Sequence, residues 1–356
     1  MTIRRLRAAL LGAAAAVLAS AAAAQTDYYS ITAPRASQRA SVSQRLGITD
    51  IRIDYHRPYV KGRKIWGDVV PYGRVWRAGA NENTVITFTD PVQVEGQALA
   101  KGSYGLHMLP TDGAWTVIFS KNSTSWGSFS YDEKEDALRV TVKAAASDMH
   151  EALTYEFDDL KPDAAVVTMR WEKLAVPFRV SVDVPAVTLA GIRENLRTVP
   201  GFTWQGWNDA ADWCLQNKTN YEEALKWVDT SIQNEERFEN YQTKSRLLAA
   251  TGKPAESEAA MKTALGKANA LQLHNYGRQL LGEKKVDEAV KVFQQNAQRN
   301  PDAWFVHAGL ARGLSAQGKY AEAAKNMKMA LAKAPESQKT YVQGLVDRLE
   351  SGKDIN

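Results

Sequence analysis

The chain has 356 residues, and its 45 basic and 40 acidic side chains give a formal net charge of +5 at pH 7. This small excess of positive charge argues against an extended nucleic-acid-binding surface. Cys214 is the single cysteine, which excludes an internal disulfide, so the folds depend on their apolar cores.

Residues 1–24 have the pattern of a secretory signal peptide. Arg4, Arg5 and Arg7 precede an alanine-rich apolar run that ends just before Gln25. We therefore expect a periplasmic or secreted protein whose mature chain begins near Gln25 and has a formal net charge of +2. No later apolar stretch reaches the roughly 18 residues of a membrane span, so none is predicted after signal removal.

Residues 54–84, DYHRPYVKGRKIWGDVVPYGRVWRAGANENT, form a ribbon in which prolines and glycines break regular structure. Aromatic rings alternate with cations, an arrangement that can present guanidinium groups to a carboxylate, phosphate or sugar. The predicted ligand-binding residues are Arg57, Lys61, Arg63, Trp66, Trp76, Arg77, Asn81, Glu82 and Asn83. In the alternative interpretation the cations hold the ribbon together, and Glu82 pairs with Arg77 or Arg57.

This ribbon is followed by YGLHMLP at residues 104–110, WTVIFSK at 115–121 and WGSFSYDEKEDALRV at 126–140. Together these motifs closely resemble the DUF2911 family of secreted bacterial proteins, and the resemblance covers residues 33–184. It implies a fold and an extracytoplasmic location. It implies no reaction, because the function of that family is unassigned.

Alternating apolar and polar residues dominate the region up to residue 184. The pattern recurs nine or ten times between turn signals and predicts short half-buried strands. We therefore predict an antiparallel β-sandwich domain over residues 25–184, with a flattened barrel as the alternative.

Neither a metal site nor a familiar nucleophile is indicated in this domain. His56, His107 and His150 lack metal-ligand spacing, and no serine-hydrolase or zinc motif occurs, so no metal or cofactor is predicted. His107 is predicted to be an exposed or hydrogen-bonded strand residue. The acidic run at residues 132–136 is expected to be solvated, although a pair of catalytic carboxylates within it stays an alternative.

A linker with a short helix is predicted over residues 185–202, and a helical repeat domain over 203–356. Glu223, Glu256, Glu288 and Glu322 recur at spacings of 33, 32 and 34 residues, each after a turn and before an apolar helix. The pattern resembles the tetratricopeptide repeat. It predicts about four helix pairs over residues 207–335 and a capping helix over 336–349.

Stacked helix pairs leave a concave surface that usually binds peptides or proteins. The first-helix residues predicted to face a protein partner are His274, Asn275, Arg278, Trp304, His307 and Arg312. In the alternative, the repeats only cap or dimerise the chain. Cys214 is predicted to be a buried helix residue rather than a reactive thiol.

Three functional classes follow. The favoured one is a periplasmic interaction protein whose β-domain binds a small polar or anionic ligand or an envelope glycan, and whose repeats bind a protein. The second is an envelope-associated hydrolase with an unrecognised carboxylate site. The third is a purely structural scaffold. The sequence leans away from an enzyme because no nucleophile with its base is apparent.

Overall fold

The computed structural model describes residues 33–356. It divides into two compact units, one extending to Gly191 and the other running from Ile192 to Asn356. The predicted signal peptide and the predicted start at Gln25 lie outside the described residues. Within the described part of the chain, no helix is both long enough and apolar enough to cross a membrane.

The first unit, here called the β-unit, contains two antiparallel sheets. In residues 33–191 the strands are β1 (Gln38–Leu46), β2 (Thr49–Arg57), β3 (Val85–Phe88), β4 (Val92–Val94), β5 (Gln97–Leu99), β6 (Gly102–Leu109), β7 (Ala114–Ser120), β8 (Asp136–Lys143), β9 (Ala145–Asp158) and β10 (Ala164–Ser181). One sheet has the order β1-β2-β3-β6-β7-β8 and the other β5-β4-β10-β9. The predicted antiparallel β-architecture is thereby confirmed.

Both sheets contribute side chains to one hydrophobic core. Ile53 of β2 and Phe119 of β7 are buried in it with Val167 and Phe178 of β10. The rings of Phe119 and Phe178 meet edge to face, with centroids 5.8 Å apart. This arrangement follows from the alternation in the sequence, because every second residue of a strand points to the same face.

Residues 58–84 form turns and isolated bridges between β2 and β3, as the prolines and glycines predict. Trp66 and Trp76 of this ribbon pack with Trp115 and Trp171. Trp66 makes edge-to-face contacts with the other three rings, and Trp76 stacks on Trp171 with centroids 5.8 Å apart. The ribbon is thus anchored to the core by aromatic rings.

The second unit, here called the helical unit, begins within the helix α1 (Val184–Asn195), which a 3-10 turn at Val199–Phe202 follows. The helices after it are α2 (Trp204–Gln216), α3 (Tyr221–Asn234), α4 (Phe238–Ala250), α5 (Pro254–Lys267), α6 (Ala270–Gly282), α7 (Val286–Arg299), α8 (Trp304–Ala316), α9 (Tyr320–Lys333) and α10 (Glu336–Glu350). Consecutive helices pack as pairs, and α10 packs on α9 as the predicted cap. The arrangement is tetratricopeptide-like.

Small residues allow the close approach of packed helices, both within a pair and between neighbouring pairs. A Cβ atom added at Gly309 of α8 would lie 2.8 Å from both Nδ1 of His274 and Cδ1 of Phe293. A Cβ atom at Gly277 of α6 would lie 2.5 Å from the ring of Phe293. Any larger side chain at either position would force the helices apart, since such contacts are shorter than van der Waals distance.

Candidate functional site

Polar residues are buried on the face of the larger sheet that points away from the core. In β2, Ile53 and Tyr55 face the core, so His56 lies on the opposite face, yet it is buried. Glu82, Asn83 and His107 are also buried, with Glu82 4% exposed and His107 2% exposed. These four residues, together with Arg35 and Arg77, are called the outer-face cluster below.

Glu82 is the acidic centre of this cluster. One carboxylate oxygen accepts a hydrogen bond from Arg35, and the other lies 3.3 Å from Nε2 of His56. Burial by itself would raise the pKa of Glu82, but the hydrogen bond from Arg35 and the charges of His56 and Arg35 outweigh it and hold the pKa below its ordinary value. Glu82 is therefore an ionised carboxylate at neutral pH, paired with Arg35 rather than with Arg77 or Arg57.

Residues 122–131, called the covering loop below, close over the cluster. Nδ2 of Asn83 donates to Oγ of Ser125 at 3.0 Å and to the carbonyl oxygen of Asn122 at 3.3 Å. Nδ1 of His107 lies 2.8 Å from Oγ of Ser128. The loop thus replaces water as the hydrogen-bond partner of these side chains.

His107 is neutral in the folded protein. The sequence predicts that His107 is either exposed or hydrogen-bonded. The structure shows that it is buried and hydrogen-bonded. Burial lowers its pKa to about 4. Its ring lies 5.4 Å from that of Tyr131, so the imidazole is enclosed on that side by an aromatic ring.

Arg77 is the cation of the cluster that lacks a hydrogen-bonded partner. Its Cζ atom lies 5.8 Å from the ring centroid of Phe129, and a Cβ atom added at Gly127 would lie 2.8 Å from one of its terminal nitrogens. Burial lowers the pKa of Arg77, and the charge of Glu82 offsets part of that effect. Among residues 33–356 no atom hydrogen-bonds to its buried Nε.

Two other predicted ligand residues, Arg57 and Arg63, use their guanidinium groups to bond to the fold. Arg57 donates to the carbonyl oxygen of Leu153 at 3.0 Å and to Oγ1 of Thr154 at 2.9 Å, which ties β2 to β9. Arg63 donates to the carbonyl oxygens of Tyr59 and Val60 within its own ribbon.

Three more of these residues have structural contacts of other kinds. Trp66 and Trp76 belong to the aromatic core described above. Asn81 adopts a left-handed backbone conformation, with φ of 58°, and its Nδ2 donates to the carbonyl oxygen of Ser37. Lys61 is exposed, and its backbone NH donates to Glu151.

A second candidate site is a cavity of about 200 Å³ in the helical unit, between α6, α8 and α10. Four of the six residues predicted to bind a protein lie in its wall with apolar and aromatic neighbours. The lining consists of His274, Arg278, Trp304, Phe305, Ala308, Arg312, Tyr341, Val342 and Leu345. Two helices of this wall, α6 and α8, are first helices of their pairs, where the repeat pattern predicts a binding surface, and the third, α10, is the cap.

The two remaining predicted residues lie outside this wall. His307 is buried, and its Nε2 lies 2.7 Å from the carbonyl oxygen of Pro301, so it fixes the start of α8. Asn275 is exposed on α6.

The cavity is electropositive. Arg278 is partly desolvated and faces the charge of Arg312, and both effects lower its pKa. Burial lowers the pKa of His274, and the charges of the two arginines lower it further. Arg312 is held in place because it donates to the carbonyl oxygen of Ile355 and to the hydroxyl of Tyr341, the latter at 2.8 Å.

Part of the β-unit matches a known protein family. The matched residues, 37–180, are called the DUF2911 region below. Residues 37–180 match the DUF2911 family model. That family is described as a protein of unknown function, so the match carries no reaction or ligand for the DUF2911 region. No curated protein matches the chain.

Solved structures of tetratricopeptide (TPR) proteins match the helical unit. One is YrrB, a TPR protein with an unusual peptide-binding site (16% identity, TM-score 0.28, 46% of this chain and 83% of YrrB). Another is the C-terminal part of a TPR protein from Cytophaga hutchinsonii (10% identity, TM-score 0.33, 47% of this chain and 66% of that one). A third is PilF of Pseudomonas aeruginosa (17% identity, TM-score 0.27, 43% of this chain and 78% of PilF).

Sequence reasoning missed several residues of both sites. Arg35 and Ser128 in the β-unit, and Phe305 and Tyr341 in the helical unit, belong to none of the predicted sets. Only Ser128 carried a signal, because it lies in the WGSFSY motif of the family resemblance.

The acidic run at residues 132–136 differs from the expectation at one position. The side chain of Asp136 is 6% exposed rather than solvated, because it accepts hydrogen bonds from Tyr131 at 2.6 Å and from Arg139 at 2.9 Å. Within the described residues, no group of three or more His, Cys, Asp or Glu side chains is placed to hold a metal ion.

Proposed function

We propose that the protein is an exported interaction protein, periplasmic or secreted. Its helical unit binds a peptide segment of a partner protein in the cavity between α6, α8 and α10, and its DUF2911 region binds a small polar or anionic ligand. Export rests on the signal-peptide pattern of residues 1–24. The peptide-binding role rests on the repeat architecture and on one feature of the cavity.

That feature is the unbalanced positive charge of the cavity wall. Arg312 lies close enough to disfavour the charge of Arg278, and none of the described side chains that line the cavity is acidic. Two neighbouring cations without an anion are unfavourable in a partly desolvated place. An acidic side chain of a bound peptide would supply the missing charge and accept hydrogen bonds from the guanidinium groups.

The rest of the wall indicates what accompanies that acid. Trp304, Phe305 and Leu345 present apolar surface beside the arginines. Aromatic residues and arginine are the side chains that dominate the energetics of binding surfaces. We therefore expect an acidic peptide that carries an apolar side chain near its acid, rather than a uniformly acidic segment.

Fluorescence anisotropy with labelled peptides of equal length tests this function. One peptide combines acidic and aromatic residues, a second replaces the acids by amides, and a third replaces the aromatics by serine. The acidic aromatic peptide should bind best, and more weakly as salt is raised. Arg278→Ala should weaken binding about 10- to 100-fold, because a charged hydrogen bond contributes about 1.5–3 kcal/mol.

Lys262→Ala provides the matched control, since Lys262 is an exposed cation on the second helix α5. It should bind the peptide as the wild type does. Equal affinity of the acidic and amide peptides, or equal losses in Arg278→Ala and Lys262→Ala, would contradict the proposed function of the cavity.

A further inference from the structure

Arg77 in the DUF2911 region is a partly buried cation without a hydrogen-bonded anionic partner. Glu82 provides the nearest opposing charge, but its oxygens already face Arg35 and His56. The guanidinium of Arg77 lies against Gly127 and Phe129 of the covering loop instead. In the described part of the chain, the buried Nε of this guanidinium donates no hydrogen bond.

Other arginines of the same unit show what a structural role looks like. Arg57 and Arg63 each donate two hydrogen bonds to the fold, mainly to backbone carbonyls. Arg77 is more desolvated than a surface arginine but makes no such bond. Burying a cation without a bonded partner costs free energy, so its retention calls for a partner that binds there.

We propose that Arg77 and the covering loop form a binding site for a small oxyanion of the carboxylate or phosphate class. This inference rests on the proposed ligand role of the DUF2911 region and names the chemistry of that ligand. The planar guanidinium fork matches two oxygens of either anion, which a lysine cannot reproduce.

The surroundings of Arg77 suit such a ligand. Gly127 has a positive φ of 62° and no side chain, so the covering loop can approach the guanidinium closely. The ring of Phe129 is 84% exposed beside the cation and offers an apolar surface to the carbon skeleton of the ligand. Glu82 is hydrogen-bonded to Arg35, so its charge offsets only part of the cost of burying Arg77 and its carboxylate does not bond to the Arg77 fork.

Calorimetric titration and thermal melts of the full-length mature protein test the site. The probes are inorganic phosphate, acetate and glucose at constant ionic strength set with chloride. Arg77→Met and Arg77→Lys are compared with the wild type, and Arg57→Lys is the control for loss of an arginine fork elsewhere in the unit. Phosphate or acetate should bind to the wild type and raise its Tm.

Arg77→Lys should weaken that binding at least tenfold, and Arg77→Met should abolish it. In chloride alone, Arg77→Met should melt no lower than the wild type, because it removes a desolvated and unbonded charge. Arg57→Lys should melt lower and retain the response to the anion. A response to phosphate alone or to acetate alone identifies which class of anion the site takes, and both support the inference.

Three results would overturn it. The first is unchanged anion binding by Arg77→Met. The second is a Tm of Arg77→Met many degrees below the wild type in chloride, which would make Arg77 a structural residue. The third is an absence of any response of the wild type to either anion. If glucose then bound to the wild type and to Arg77→Met alike, the ligand role of the DUF2911 region would stand and only the anion site would fail.

Discussion

The buried imidazole of His107 makes the stability of the β-unit sensitive to acid. Its pKa is about 4 in the folded protein, against 6.5 for an ordinary histidine. In the unfolded chain His107 therefore takes up its proton near pH 6.5, while in the folded chain it stays neutral until about pH 4. Between these values the unfolded state binds more protons, so the free energy of unfolding falls as the pH falls.

The size of this effect follows from the difference in pKa. Each pKa unit corresponds to about 1.4 kcal/mol, so the full difference corresponds to about 3 kcal/mol. Desolvation is the cause, because His107 is 2% exposed under the covering loop. A loss of this size is a large fraction of the stability of a typical domain, which is about 5–15 kcal/mol.

Urea unfolding followed by tryptophan fluorescence at pH 7.5 and pH 4.0 measures the loss. His107→Gln keeps a side chain that can hydrogen-bond to Ser128 but removes the titrating group. The free energy of unfolding of the wild type should fall by about 3 kcal/mol more than that of His107→Gln over this range. Titrating carboxylates are common to both proteins, so they cancel in the comparison.

Because the chain has two compact units, the unfolding transition of the β-unit must be identified first. It is the transition whose midpoint differs between the wild type and His107→Gln at pH 7.5. His150→Gln controls for the loss of a histidine elsewhere in the same unit, on strand β9. An equal pH dependence of wild type and His107→Gln would show that His107 is not held neutral by burial, and would refute the reasoning.

Three further predictions concern single contacts. Arg57→Lys should lower the stability of the β-unit by about 1–3 kcal/mol in urea unfolding, because Lys cannot donate to both Leu153 and Thr154; an unchanged midpoint would contradict this. Cys214 is buried and burial raises the pKa of its thiol to about 11, so native protein at pH 8 should resist iodoacetamide while urea-unfolded protein reacts. Deleting residues 354–356 removes the buried side chain of Ile355 and the carbonyl oxygen that accepts a hydrogen bond from Arg312. In thermal melts the free energy of unfolding of the helical unit should fall by about 2 kcal/mol or more, and the acidic peptide should bind more weakly.

The periodic parts of the fold could be predicted from the sequence because they repeat a simple physical rule. Apolar residues alternate in β2, β6 and β7, and the spacing of about 33 residues marks the helix pairs. Strand β1 was not predicted, since its sequence QRASVSQRL is mostly polar. It forms because it pairs along its whole length with β2, and no local pattern reports such pairing.

The residues of the candidate sites could be predicted from the sequence only in part. A repeat of known geometry predicts which helix faces the concave surface, so His274, Arg278, Trp304 and Arg312 could be chosen from their positions, and they line one cavity. An irregular ribbon offers no such rule. The direction of each of its side chains is set by long-range contacts, which is why Trp66 and Trp76 lie in the core while Arg77 lies under the covering loop.

The strongest indication of function in the DUF2911 region is that polar side chains are buried on the outer face of the sheet. The alternation of apolar and polar residues along the strands predicts that this face is exposed to solvent. An outward-facing residue of an antiparallel sheet is ordinarily hydrated, so a polar side chain there costs little. His56 and His107 are outward-facing yet buried, and Ser128 of the covering loop is the hydrogen-bond partner of His107 in place of water. A loop that served only to cover the sheet would lose less free energy to desolvation if the residues beneath it were apolar or small. The loop encloses a neutral imidazole and lies against a guanidinium whose Nε has no hydrogen bond, an arrangement expected if, as we propose, this region gives up stability to hold a charge for a ligand.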